Sequence, residues 1–186
     1  LIDVLVSCAV LVVMFGITVP AWGVTRERDA TRMAARYVAQ RLQMLRAEGL
    51  RRNASVAMRL DPEDLGRIGI YADGDGDGVL QRDLDDGTDT PLGEEVRLAD
   101  YFAAVSFRVV SDVPSPDGDG VIVAGSDPVR IGNTDLLSFS PLGSSTSGTI
   151  YVAAGSGTQM CVRVLGATGR VRVMWFDAAT RSWRRY

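Results

Sequence analysis

The residues best suited to chemistry are three aspartates at alternate positions in an acid-rich stretch. Asp73, Asp75 and Asp77, followed by Gly78, have the spacing with which a loop turns successive carboxylates onto one hard cation, the glycine permitting the sharp bend. Leu80 stands at the eighth place, which such loops fill with an apolar residue. The twelfth place, where calcium takes a bidentate acid, holds Leu84 between Asp83 and Asp85. The spacing nominates calcium as a cofactor, with Asp73, Asp75, Asp77 and Asp83 as its ligands. The competing reading is a solvated acidic loop that faces the arginine-rich segment of the same or a neighbouring copy. Asp117 and Asp119, in Ser-Pro-Asp-Gly-Asp-Gly, read as a turn.

A second constellation closes the chain. Ala167 and Thr168 lie between Gly166 and Gly169, so a hairpin turn there sets Leu165 opposite Arg170 and Arg163 opposite Arg172. Val162, Val164, Val171, Val173 and Trp175 then share the buried face. Like charges directly across a sheet repel, so an anion is expected beside Arg163 and Arg172. Arg181, Arg184 and Arg185, interleaved with Trp183 and Tyr186, would add phosphate contacts and stacking if that anion were nucleic acid. Acidic loops of neighbouring copies would serve the same charges equally well.

A third feature is a lone acid in a greasy segment. Residues 1–22 are almost unbroken apolar sequence whose one charge is Asp3. A helix of about 20 residues spans a hydrocarbon core of about 30 Å, so this segment is long enough to cross a membrane. A secretory signal would start with Met and basic residues and end at a small-residue cleavage site, and those features are missing from the stretch. A plain anchor gives no reason for Asp3, because an acid at that depth is expensive and needs a partner.

Enzymatic chemistry lacks its usual parts. The chain has no His, and we find no nucleophile motif, phosphate loop or zinc set. The formal charge of -3 excludes a uniformly basic nucleic-acid binder but hides strong segregation. Residues 24–59 carry nine Arg against three acids, residues 61–100 thirteen acids against three Arg, and residues 160–186 six Arg against Asp177. Cys8 and Cys161 are too far apart in any plausible fold to pair.

The elements that must position these groups follow from periodicity. Ala34, Val38, Leu42, Leu45 and Gly49 recur at helical spacing, with Met33, Tyr37 and Met44 on the adjoining line and Arg28, Arg32, Arg36, Gln43 and Arg46 opposite. The pattern predicts one long helix to about Asn53, apolar all round over 1–23 and amphipathic over 24–54. Runs of period-two alternation at 55–60, 67–72, 104–110, 120–124, 129–131, 135–140, 149–153, 160–165 and 170–176 predict antiparallel strands in a β-rich domain over 55–186. The fold class is α+β, a long hydrophobic N-terminal helix packed on an antiparallel sheet.

The opening residues Leu-Ile-Asp-Val-Leu-Val, followed by Ile-Thr-Val-Pro-Ala-Trp, resemble the start of a mature type IV pilin or pseudopilin. That resemblance implies a leader removed by a prepilin peptidase and an apolar helix with one acid near its start, the position of Asp3. The family usually has Glu there and begins two residues earlier with a methylated Phe, and this sequence departs from it on both points. The resemblance further implies that Asp3 pairs with the N-terminal amine of a neighbouring subunit, and that Pro20 loosens the helix on assembly. The tail narrows the branch. Phe139-x-Pro141-x-Gly143, then Gly148-Thr149-Ile150, then Gly169-Arg170-Val171-Arg172 resemble the C-terminal half of the GspH/FimT minor pilins. The implied function is that of a filament subunit of the type IV pilus or type II secretion class, not an enzyme. Its partners would be other copies or other pilins, its location the inner membrane before assembly and an extracellular filament after it. Two alternatives stand beside a main structural subunit: a type II secretion minor pseudopilin, and a FimT-like minor pilin that captures DNA through Arg163, Arg170, Arg172, Arg184 and Arg185.

Overall fold

The computed structural model describes residues 2–118, 120–132, 134–155 and 157–186; it leaves out the side chains of Ile2, Leu5, Cys8 and residues 11–24. One helix, α1 (Ile2–Arg52), precedes everything else. At 1.5 Å per residue its 51 residues extend about 76 Å. It ends where Asn53 takes a left-handed conformation at φ 53° and the Ala54 amide donates back to the Gly49 carbonyl at 3.3 Å.

The expected inward stripe is buried: Ala34, Val38 and Leu42 are fully enclosed, and Leu45 nearly so. The adjoining line differs from expectation. Met33 and Met44 are exposed, and Ala35 and Ala39 take the flanking buried places. Two alanines beside the stripe let the helix axis approach the sheets more closely than two methionines would.

The β domain holds two antiparallel sheets under that stripe. The first is built from β1 (Val56–Asp61), β2 (Arg67–Ala72), two short edge strands β3 (Thr90–Pro91) and β4 (Val96–Arg97), and β9 (Leu136–Phe139), with β1 between β2 and β9. Two short helices, α2 (Gln81–Asp86) and α3 (Leu98–Tyr101), flank those edge strands in the chain. The second sheet runs in the order β13 (Ser182–Arg185), β12 (Arg170–Asp177), β11 (Gln159–Leu165), β10 (Gly148–Ala153), β5 (Ser106–Phe107), with β8 (Val129–Arg130) also on β10. A separate hairpin joins β6 (Val113–Pro114) to β7 (Val121–Ile122).

Alternation assigns each strand two jobs. Val56, Met58 and Leu60 of β1, Ile150 and Val152 of β10, and Met160, Val162 and Val164 of β11 pack with the stripe of α1 in one core. Val171, Val173 and Trp175 join it partly buried, as the hairpin register requires. On the far side of the first sheet, Ala57 and Leu136, with Tyr71 of β2 beside them, are roofed by Val79 and Leu84 from the acid-rich loop and its helix. On the far side of the second, Tyr151 and Cys161 are covered by Val109, Val113 and Ile122, with Met174, Phe176 and Trp183 beside them. Cys161 is free, and burial pushes its thiol pKa up, so it acts as a packing residue. Buried Gln159 is satisfied: its amide donates to the Arg108 carbonyl at 3.1 Å and its oxygen accepts from Val110 N–H at 2.9 Å.

The loop that follows β9 and the β11–β12 turn meet over Arg46 of α1. A Cβ on Gly169, at φ 58°, would stand 2.6 Å from the Gly143 carbonyl oxygen and 3.2 Å from Arg46 Nε. The two glycine motifs of the tail are therefore one contact. Replacing Gly169 by Ala is expected to cost about 2–4 kcal/mol, since it adds a clash to a strained backbone. Gly132, at φ 55° with open space around it, supplies the control. There Ala should cost no more than about 1 kcal/mol, and urea midpoints of the two variants measure the difference.

Candidate functional site

Three places carry charge that the core does not explain. The first turn of α1 exposes Asp3, whose main-chain carbonyl accepts the Ser7 hydroxyl at 2.8 Å. Among the described residues Asp3 makes no ion pair. The α1 helix runs through Pro20 without interruption in the single chain; the Pro20 side chain lies outside the described residues. Among the described residues no helix is long and apolar enough to cross a membrane, and residues 11–24, which hold much of the apolar run, fall outside that statement.

The acid-rich loop is built around two carboxylates. Asp73 accepts from the Gly76 amide at 2.7 Å, the Gly78 amide at 3.0 Å and the Asp75 amide at 3.2 Å, so the chain wraps around its own first acid. Asp89, 2% exposed, accepts from the Gly74 and Leu80 amides, both at 3.0 Å, and clamps the two ends of the wrap together. Carboxylate oxygens of Asp73, Asp75 and Asp89 lie within 4.8 Å of one another. Of the four residues that spacing nominated, Asp73 and Asp75 belong to this convergent set. Asp77 and Asp83 stand beside it, held by Arg82, which donates to Asp77 Oδ2 at 2.6 Å and to Asp83 Oδ1 at 3.0 Å. The reason is α2, whose six residues turn Asp83 away from the twelfth-place geometry and deliver Asp89 instead.

Asp83 is 5% exposed, and its second oxygen has no hydrogen-bond partner. Asp77 is held above the usual carboxylate range, first by desolvation, then by the neighbouring charges of Asp75 and Asp83. An all-oxygen donor set of this kind suits a hard cation. Among the described residues no ion pair joins the acid-rich segment to α1. Its arginines pair within it: Arg67 with Asp61, Asp64 and Glu95, Arg82 as above, and Arg97 with Asp64.

The arginine hairpin has the expected register, with Arg163 opposite Arg172 and Leu165 opposite Arg170. Much of its predicted binding chemistry is occupied from within the chain. Arg163 pairs with Asp117 and donates to the Pro116 carbonyl at 2.8 Å, so the predicted turn there is also a counter-charge; Asp119 lies outside the described residues. Arg184 pairs with Asp177 at 2.8 Å. Trp183 donates to the Pro114 carbonyl at 2.6 Å and packs in the second core, while the Tyr186 ring lies under Arg36 of α1 at 4.3 Å. Trp183 is therefore committed to the core, and Tyr186, half exposed, already has one face taken by arginine. Among the described residues Arg170, Arg172 and Arg185 make no ion pair. Burial and repulsion from Arg185, Arg170 and Arg163 hold the Arg172 guanidinium below its ordinary pKa, and its Nε is buried without a partner.

Sequence reasoning missed Asp89, and the one available signal was the Gly87-Thr88-Asp89 stretch just after the failed twelfth place. It also missed β13, because Trp183, Arg184 and Arg185 read as nucleic-acid contacts before they read as an edge strand.

No curated protein matches the chain. Among solved structures it is similar to the minor pseudopilin EpsH from the type 2 secretion system of Vibrio cholerae, with a TM-score of 0.49 and 14% identity over 78% of this chain and 96% of that one. Residues 34–168 match the family model described as type II transport protein GspH. That match begins on the buried face of α1, runs through the first sheet and into the second as far as β11, and covers well over half of the sequence, and the chain therefore belongs to the GspH family.

Proposed function

We propose that this chain is a minor pseudopilin of a type II secretion system, a structural subunit that joins other pilin-like chains in a filament through α1. The observation that carries the reading is the extent of the family match over residues 34–168, which takes in the buried helix face, the whole first sheet and the second sheet as far as β11.

The first turns of α1 support it. Val4, Val6 and Val10 are 65%, 58% and 53% exposed, an apolar surface that serves no purpose in an isolated chain. Packed together in a filament, such helices cover one another. Asp3 then becomes a buried acid in need of an opposite charge, and the N-terminal amine of a neighbouring subunit supplies one. Before assembly the same helix holds the subunit in the inner membrane. The work of the subunit is mechanical, and catalysis has no part in it.

Replacing Asp3 with Ala should reduce the filament fraction recovered by sedimentation at least tenfold, with the melting temperature of the full chain in detergent unchanged. Normal filament yield from that variant would remove the pairing from the mechanism.

A second reading, capture of DNA, is favoured by one observation: the buried, unpartnered Nε of Arg172 amid Arg163, Arg170 and Arg185. It gains nothing from Trp183 or Arg184, which are already engaged. On this reading the full chain in detergent shifts duplex DNA at low salt, the affinity falls steeply as salt rises, and the double variant Arg170→Ala, Arg172→Ala loses it. Absence of a shift at low ionic strength leaves the hairpin charges to a neighbouring subunit.

A further inference from the structure

The acid-rich loop has an answer to its missing twelfth ligand. A calcium ion takes oxygens at about 2.3–2.6 Å, so two ligand oxygens on opposite sides of it stand no more than about 5 Å apart. The oxygens of Asp73, Asp75 and Asp89 meet that condition, all lying within 4.8 Å of one another. They come from the first and third places of the loop and from a buried acid at its seventeenth place. Val79 occupies the seventh place, where such loops supply a main-chain carbonyl.

An independent observation points to a cation. Asp83 is nine-tenths buried, yet one of its carboxylate oxygens has no donor. The residue lies against the cluster on two sides: its carbonyl accepts the Asp89 amide at 3.0 Å, and its other carboxylate oxygen shares Arg82 with Asp77. A buried carboxylate oxygen left without a donor is costly, and the one counter-charge of this carboxylate, Arg82, is shared with Asp77. Arg82, 70% exposed, is the one basic residue between Asp73 and Asp89, against seven acids. That balance leaves the segment strongly negative.

We propose that Asp73, Asp75 and Asp89 bind one calcium ion, with Asp89 in the role that Leu84 cannot fill and the open carboxylate oxygen of Asp83 adding to the negative charge beside it. Oxygen donors without nitrogen or sulfur select a hard cation, and a shell crowded with carboxylates favours calcium over magnesium, which keeps most of its water. The ion ties the exit of β2 to the entry of β3. In doing so it secures the lid of Val79 and Leu84 over Ala57 and Leu136 on the far face of the first sheet.

The test is a calcium chloride titration of the full chain in detergent after stripping with EGTA, followed by calorimetry and by thermal melting. One calcium per chain and a melting temperature raised by about 5–10 °C at a hundredfold excess over Kd are expected, with magnesium chloride giving under a third of that shift. Asp89→Asn should abolish the response. Because Asp89 also clamps the loop, Asp75→Asn is the second variant: Asp75 is exposed and accepts one long bond, from the Asp77 amide at 3.3 Å. It should weaken calcium at least tenfold while leaving the calcium-free melting temperature within about a degree. A melting temperature indifferent to calcium, an equal response to magnesium, or an Asp75→Asn variant that binds as tightly as the parent chain would overturn the proposal.

Discussion

Everything in this molecule depends on one stripe of α1 lying against two sheets at once. Ala34, Val38, Leu42 and Leu45 are buried among residues of β1, β9, β10 and β11. The two sheets share no strand, so this core is what joins them. Burying side chains such as Leu42 and Val38 stabilises by about 1.5–3 kcal/mol each. Ala35 and Ala39 set how closely the helix can sit. Because α1 is a single element from Ile2 to Arg52, the packing that fixes its second half also aims its first half away from the domain. A change at the buried stripe would therefore alter the presentation of Asp3, some fifty ångströms along the rod by the rise of about 1.5 Å per residue.

The outer faces of the two sheets are closed by different means. The first is covered by a loop whose apolar residues Val79 and Leu84 point down and whose acids gather above them. The second is covered by the β6–β7 hairpin, which Trp183 and Arg163 tie to the sheet by bonds to the Pro114 and Pro116 carbonyls. Each cover thus puts a polar network over a small satellite core. The charge segregation along the chain is largely resolved inside each segment, with arginines of the acidic stretch paired to acids of the same stretch. What stays unresolved is local: the acids around Asp89 and the arginines around Arg172.

Much of this was legible in the sequence where a period repeats often enough to be read. The inward stripe of α1 and the longer strands β1, β2, β10, β11 and β12 stand where alternation placed them, within a residue or so. Strands of two residues, such as β3, β4 and β6, have no period to read and exist because a neighbouring strand offers an edge. Met33 and Met44 resemble core residues by spacing, and only the close approach of Ala35 and Ala39 turns them outward. The candidate sites were half legible. Arg163 and Arg172 face each other because a hairpin turn fixes register, which is local information. Asp89 reaches Asp73 because α2 folds the chain back, and that return is tertiary, invisible to a spacing rule written for twelve residues.

The central claim is that the first turns of α1, which expose Val4, Val6 and Val10, are an assembly surface. It is tested most directly by placing single cysteines at Val4 and Val10 of a chain lacking Cys8, and oxidising cells that also make the companion pilin-like subunits. The account predicts disulfide-linked species containing this chain and a second subunit, formed from both positions and lost when Asp3 is replaced by Ala. A chain that stays monomeric at both positions, while a cysteine at the exposed Leu142 does cross-link, would contradict it and move the interface to the β domain.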